Sequence, residues 1–210
     1  MTSATSFIRV NDPVPTEQLD TIASLDNNSL IIRLAFTINH LSRWLSPIHD
    51  HDLLERSVYR GEPTAKDLVL QLRDYDQKIY PRMYLIANQN DPDLDTLPDA
   101  EVSDEQRRRD QVDPTIVVMS SFRRLRQTST ALLRVLPDDA WQRRGSSRNG
   151  IEGTVRSMAE ALAIHDYRVL RALDRTLDQV GAREGLAKLQ VTPLDELLTL
   201  APDGGVDIRV

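Results

Sequence analysis

Apolar residues return at intervals of three and four along four stretches of the chain, and that spacing predicts four long amphipathic helices. In the first, Ile31, Leu34, Ala35, Ile38, Leu41 and Leu45 form a stripe between a capping region at Asp26-Asn27-Asn28-Ser29 and Pro47. A second stripe, Ile32, Phe36, His40 and Trp44, widens its apolar face. A face that broad predicts contact on two sides, and a homodimer is the expected assembly. Thr64, with Asp67 three residues on, opens a second helix whose seam is Leu68, Leu72, Tyr75, Ile79, Met83 and Ile86. Pro81 lies inside it and removes a backbone donor, which predicts a bend or an early end near Tyr80. Asp113 and Pro114 read as a cap and first turn for a third helix carrying Val118, Phe122, Leu125, Leu132, Leu133 and Leu136, ended by Pro137. Thr154 caps a fourth, with Val155, Met158, Leu162, His165, Val169, Leu173, Leu177 and Val180 inward and Gly181 closing it.

One short loop and two longer connections join these helices, so the expected fold is all-α, a four-helix bundle spanning residues 26–181. Short extensions flank it, N-terminal over 1–25 and C-terminal over 182–210. The polar connection from Asn88 to Asp113 contains a capping-box pattern, Ser103-Asp104-Glu105-Gln106, that predicts one short helix, and Gly145 to Gly150 is turn chemistry. Thr192-Pro193-Leu194-Asp195 starts another short helix. Phe7-Ile8-Arg9-Val10 and Val206-Asp207-Ile208-Arg209-Val210 alternate like strands, although frayed ends are commoner than paired ones.

Composition narrows the chemistry. A chain of 210 residues, 40% hydrophobic but only 5% aromatic, suits one domain with an aliphatic core. It has no cysteine, which removes disulfides, thiolate nucleophiles and Cys-based metal sites together. The start of the chain is neither basic nor followed by an apolar run, and no window approaches the ~18 apolar residues of a membrane span; the expectation is a cytoplasmic protein with no membrane partner. A net charge of -6 argues against nucleic acid as a partner, and the arginines at Arg123, Arg124, Arg126 and at Arg143, Arg144, Arg148 read as solvated charges.

Motifs for reaction chemistry are few. The helices hold no Glu-x-x-His pair, and the sequence has no His-Glu-x-x-His, P-loop, Gly-x-Gly-x-x-Gly or Gly-x-Ser-x-Gly signature. His49-Asp50-His51-Asp52 alternates imidazole and carboxylate but follows Pro47 in a polar stretch, and reads as a solvated loop. His40 reads as a packing residue. His165 is the main candidate, because the seam places it inward beside Leu162 and Val169, where Gln71 and Tyr75 of the second helix could meet it. A lone imidazole does not hold zinc or nickel, and Asp74 or Asp166 could add oxygen ligands only if the helices were rotated from this register.

Three stretches resemble the DinB/YfiT-like family of metal-binding four-helix bundles. Pro63-Thr64-Ala65-Lys66-Asp67-Leu68-Val69-Leu70-Gln71-Leu72 is similar to the family's second-helix opening, with Gln71 where a histidine normally stands. Leu136-Pro137-Asp138-Asp139-Ala140-Trp141 resembles the turn after its third helix. Thr154 through Leu170 resembles the fourth helix, where His165 is kept and Val169 takes the place of the second histidine of His-x-x-x-His. The resemblance implies a three-histidine site for zinc or nickel, serving thiol-transferase or hydrolase chemistry among relatives. With one of three ligands present, the expectation is a bundle with no metal and no cofactor, acting as a homodimeric small-ligand-binding or structural protein. Gln71, Tyr75, His165 and Asp166 would be its ligand contacts. The alternative is a diverged enzyme using His165 as general base or sole imidazole ligand. A third reading, a partner-binding module using Arg107-Arg108-Arg109, ranks last because charge runs are usually solvated.

Overall fold

The computed structural model describes residues 13–98, 102–147, 153–184 and 186, and it is helical almost throughout. Four long helices make the bundle: α2 (Asn27–Leu45), α3 (Ala65–Asn88), α5 (Thr115–Val135) and α6 (Val155–Gln179). Two short helices flank them, α1 (Thr16–Ser24) and α4 (Asp104–Val112). A two-residue antiparallel ribbon, β1 (Arg144–Gly145) with β2 (Gly153–Thr154), leads into α6. The strand-like termini and the Thr192 helix lie outside the described residues.

The helix ends follow from local chemistry. Asp26 accepts a hydrogen bond from the Ser29 N–H at 2.6 Å, and Thr64 with Asp67 and Thr154 with Ser157 form reciprocal capping boxes. Ser103 caps α4 through the Gln106 N–H. At the far end of α6 the Ala182 N–H reaches the Leu177 carbonyl and the Gly181 N–H reaches that of Asp178, with Gly181 at φ +72°. That pairing needs a left-handed residue, which glycine supplies without strain. Gly145 is required for another reason: a Cβ there would sit 2.8 Å from Ile86.

Pro81 does not end α3, contrary to one form of the expectation above; the helix runs on to Asn88. The carbonyl that loses its partner belongs to Gln77, which is exposed, so water can satisfy it. The other departure is α1, a nine-residue helix with few apolar residues that buries Ile22 and packs on α6.

Sequence neighbours are not always spatial neighbours. α2 and α3 lie across the bundle from each other, and each is flanked by α5 and α6. The C-terminal halves of α2 and α6 meet the N-terminal halves of α3 and α5 around Leu41, Leu72, Phe122 and Leu173. The opposite halves meet around Leu34, Met83, Leu133 and Leu162, with Trp141 of the turn after α5 sealing that end. α2 and α6 therefore run one way and α3 and α5 the other. Between the two apolar clusters lies a buried polar layer.

Candidate functional site

Arg126 stands at the centre of that layer and is 0% exposed, against Asp76 at 0% and Asp166 at 4%. Its Nε donates to both Asp76 oxygens at 3.1 Å, and Nη2 donates to Asp76 at 2.7 Å and to Asp166 at 2.8 Å. Nη1 donates to the other Asp166 oxygen and to the Leu34 carbonyl at 3.1 Å. All five guanidinium N–H groups thus have acceptors. Thr37 Oγ1 donates to Asp166 at 2.7 Å and Ser129 Oγ to Asp76 at 3.2 Å, so every long helix contributes a group. Burial alone would push the Arg126 guanidinium down, but the two carboxylates outweigh it and hold it charged. Burial raises the Asp76 carboxyl more than Arg126 lowers it.

The arrangement rests on heptad-like spacing. Leu34–Thr37–Leu41, Leu72–Asp76–Ile79, Phe122–Arg126–Ser129 and Leu162–Asp166–Val169 each place a polar residue on the inward seam. Sequence reasoning missed Asp76 and took Arg126 for a solvated charge; the structure corrects this, since Arg126 has no contact with water. Polar residues that keep the seam spacing were the available signal.

The same step of one residue moves His165 and Tyr75 outward. His165 is half-buried at the seam between α3 and α6, not in the bundle interior. Its Nε2 donates to the main-chain carbonyl of Gln71 at 3.2 Å, and its ring stacks on Tyr75 with centroids 4.1 Å apart and planes 23° from parallel. A carbonyl only accepts, so the proton sits on Nε2 and Nδ1 presents a lone pair. Burial lowers the pKa of this imidazole, with Asp166 and the Gln71 carbonyl partly offsetting it, and the neutral form prevails near neutrality. Burial likewise raises the Tyr75 phenol. Gln71, Tyr75 and His165 are therefore brought together as expected. Asp166 is not with them; it faces the core and is held by Arg126 and Thr37.

A metal at this seam would need more ligands than the seam provides. The seam offers one imidazole, a carbonyl already shared with that imidazole, and the fully buried apolar Val169. This set does not fit zinc or nickel, and among the described residues no group of three or more His, Cys, Asp or Glu side chains could hold a metal ion. His49 and His51 are exposed, with Asp50 capping a short turn over His51–Leu54.

Two further polar regions stand apart. Along α3 and α4, a cavity of about 480 Å³ is lined by Glu55, Lys66, Asp74, Arg107 and Asp110 among others. Its charges are already matched: Lys66 pairs with Glu55, and Arg73 binds both Asp110, at 2.5 Å, and Asp74, at 2.6 Å. On α4, Arg107 and Arg109 pair along the helix with Asp104 and Glu105, as solvated helix charges do. On α2, His40 is 2% exposed between Phe36 and Trp44, and neither ring nitrogen has a hydrogen-bond partner among the described residues. Burial, aided by Arg43 and Arg33, pushes its pKa down to about 4.

No protein-family model matches the sequence, and neither does any curated protein. Solved structures do resemble the fold. YfiT from Bacillus subtilis, described as "a probable metal-dependent hydrolase with an unusual four-helix bundle topology", superposes with a TM-score of 0.60. It is 17% identical, and the match covers 81% of this chain and 92% of that one. A variant of the mycothiol-dependent maleylpyruvate isomerase gives a TM-score of 0.46 at 21% identity, over 73% of this chain and 62% of that one. No helix is long and apolar enough to cross a membrane among the described residues. The four long helices and the likeness to YfiT lead to one conclusion: this chain has the DinB/YfiT-like four-helix-bundle fold.

Proposed function

We propose that this chain is a DinB/YfiT-like bundle protein that has lost the three-histidine metal site and works in the cytoplasm as a homodimeric small-ligand-binding or structural protein. The observation that carries this reading is the state of His165. Its Nε2 proton is committed to a main-chain carbonyl, its ring is covered on one face by Tyr75, and Val169 supplies no second imidazole. What remains is a neutral hydrogen-bond acceptor beside a phenol at a half-buried seam, an arrangement suited to orienting a small polar molecule. Purified protein is expected to carry no zinc or nickel by elemental analysis and to sediment as a dimer. Near-stoichiometric metal displaced by a His165→Ala substitution would defeat the first part, and a monomer at micromolar concentration the second.

One observation favours a second reading. The same neutral Nδ1 has the proton state of a general base, with the Tyr75 hydroxyl and the Gln71 side chain on the same face. In that case the chain is a diverged thiol-dependent transferase or hydrolase. Thiol-transfer and hydrolysis assays on wild type and His165→Ala separate the two: equal rates in both proteins would sink the enzyme.

A further inference from the structure

The charges along the α3–α6 seam are not balanced. By helical spacing Gln71, Tyr75 and Lys78 share one face of α3, and His165 and Arg168 share one face of α6. The carboxylates on or next to this face are engaged elsewhere: Asp67 accepts from Thr64 in the capping box, Asp74 is held by Arg73, and Asp166 by Arg126. Arg168 and Lys78 have no ion-pair partner among the described residues. In a chain of net charge -6, the half-buried Gln71–Tyr75–His165 seam is thus bordered by two exposed cations, Arg168 and Lys78, neither ion-paired with a carboxylate among the described residues. Hydrogen-bonding capacity points the same way. The Tyr75 hydroxyl and the Gln71 amide make no side-chain bond to the described residues, whereas the core layer one residue away fills all its donors.

We propose that the α3–α6 seam binds a small carboxylate, its oxygens met by the Arg168 guanidinium and the Tyr75 hydroxyl and its polar substituents by His165 Nδ1 and the Gln71 amide. The placement supports this choice of charge. Arg168 lies one turn from His165 on the same face, and its positive charge acts on the Tyr75 phenol, second only to burial, and on the His165 ring, after burial, Asp166, the Gln71 carbonyl and Arg126. A guanidinium also matches a planar carboxylate with two parallel hydrogen bonds, which a neutral ligand cannot use. The inference rests on the ligand-binding reading of His165 and adds the class of ligand.

The test is an NMR titration of the full chain, following the His165 ring and Arg168 Nε–H signals, with benzoate, its neutral isostere benzamide, inorganic phosphate and zinc chloride in parallel at fixed ionic strength. Saturable shifts with benzoate, weakened at least about tenfold by Arg168→Gln and left unchanged by the exposed control Arg124→Gln, are the expected result. Tyr75→Phe should weaken benzoate as well while leaving the fold intact. Benzamide binding as well as benzoate would overturn the carboxylate class while leaving a ligand seam in place. Phosphate binding more tightly than benzoate would overturn it also. Zinc saturating His165 at one equivalent would overturn the ligand reading beneath it, and no saturable shift with any probe would overturn both.

Discussion

Two polar regions share helices α3 and α6 and differ by a single step of sequence. Asp76 and Asp166 enter the core and grip Arg126; Tyr75 and His165 face the seam and touch each other. The core set is closed, because every guanidinium donor has an acceptor and hydroxyls of Thr37 and Ser129 cover the carboxylates. The seam set is open, with a bare imidazole nitrogen, a phenol and an arginine that has no ion pair among the described residues. A polar group that is fully satisfied specifies architecture, whereas one left open at a half-buried surface can address a ligand. The contrast separates what holds this fold from what the fold offers.

The largest expected effect comes from breaking the closed set. Arg126→Ala leaves two carboxylates buried without a counter-charge, and loss of one member of a buried ion cluster costs about 3–5 kcal/mol. Urea denaturation would read it as a lowered midpoint. Replacing all three charges together, Arg126→Met with Asp76→Leu and Asp166→Leu, is expected to recover most of that loss, because well-packed apolar residues substitute for buried ion sets at little cost. A single substitution costing under about 1 kcal/mol would show the layer to be hydrated and the contrast with the seam mistaken.

How far sequence carried the interpretation turns on the same residues. Four helices, the caps Asp26, Thr64 and Thr154 and the closing Gly181 were legible because apolar period and capping chemistry are local, and the bundle followed from them; the cap expected at Asp113 is corrected, since Pro114 stands at the N-cap of α5 and no side chain bonds that helix start. The face of each helix was less secure. Reading Leu72, Tyr75 and Ile79 as the seam favours the more apolar residue, yet the helix turns 100° per residue, and Asp76 keeps the 4-3 spacing equally well. An aspartate becomes a credible core residue only when a partner is known, and Arg126 lies 50 residues away on α5. Gln71, Tyr75 and His165 were found together because contact at a helix boundary tolerates that error, whereas the core charge of Asp166 did not. α1 escaped notice since a nine-residue helix holds only about two turns of its Leu19–Ile22–Ala23 stripe, too few repeats to stand out along the chain.

His40 sharpens the comparison as a third case: buried like Arg126, but without hydrogen-bond partners among the described residues. Its folded pKa of about 4 lies below the ordinary histidine value of 6.5, so the unfolded chain takes up the proton first as pH falls. Stability is therefore full above about pH 6.5 and is lost progressively down to about pH 4, by about 3 kcal/mol in total. His165, also lowered, adds to the slope in the same direction. His40→Leu should flatten unfolding free energy across that window, and identical pH slopes for variant and wild type would remove His40 from the account.

The smallest effect is expected at the seam, and its smallness is the point. His165→Phe keeps a ring over Tyr75 and deletes only the Nε2 donor and the Nδ1 acceptor. The Gln71 carbonyl that loses this donor sits within α3, where the helix already supplies one hydrogen bond, and the position is half-buried, so water can replace the other. The cost should stay within about 1 kcal/mol, far below that of Arg126→Ala. If denaturation shows the two substitutions to be equally damaging, the seam is a second structural layer. If His165→Phe is nearly neutral, the imidazole is retained for something other than stability, because a phenylalanine would serve the packing as well and place no polar atom at the seam.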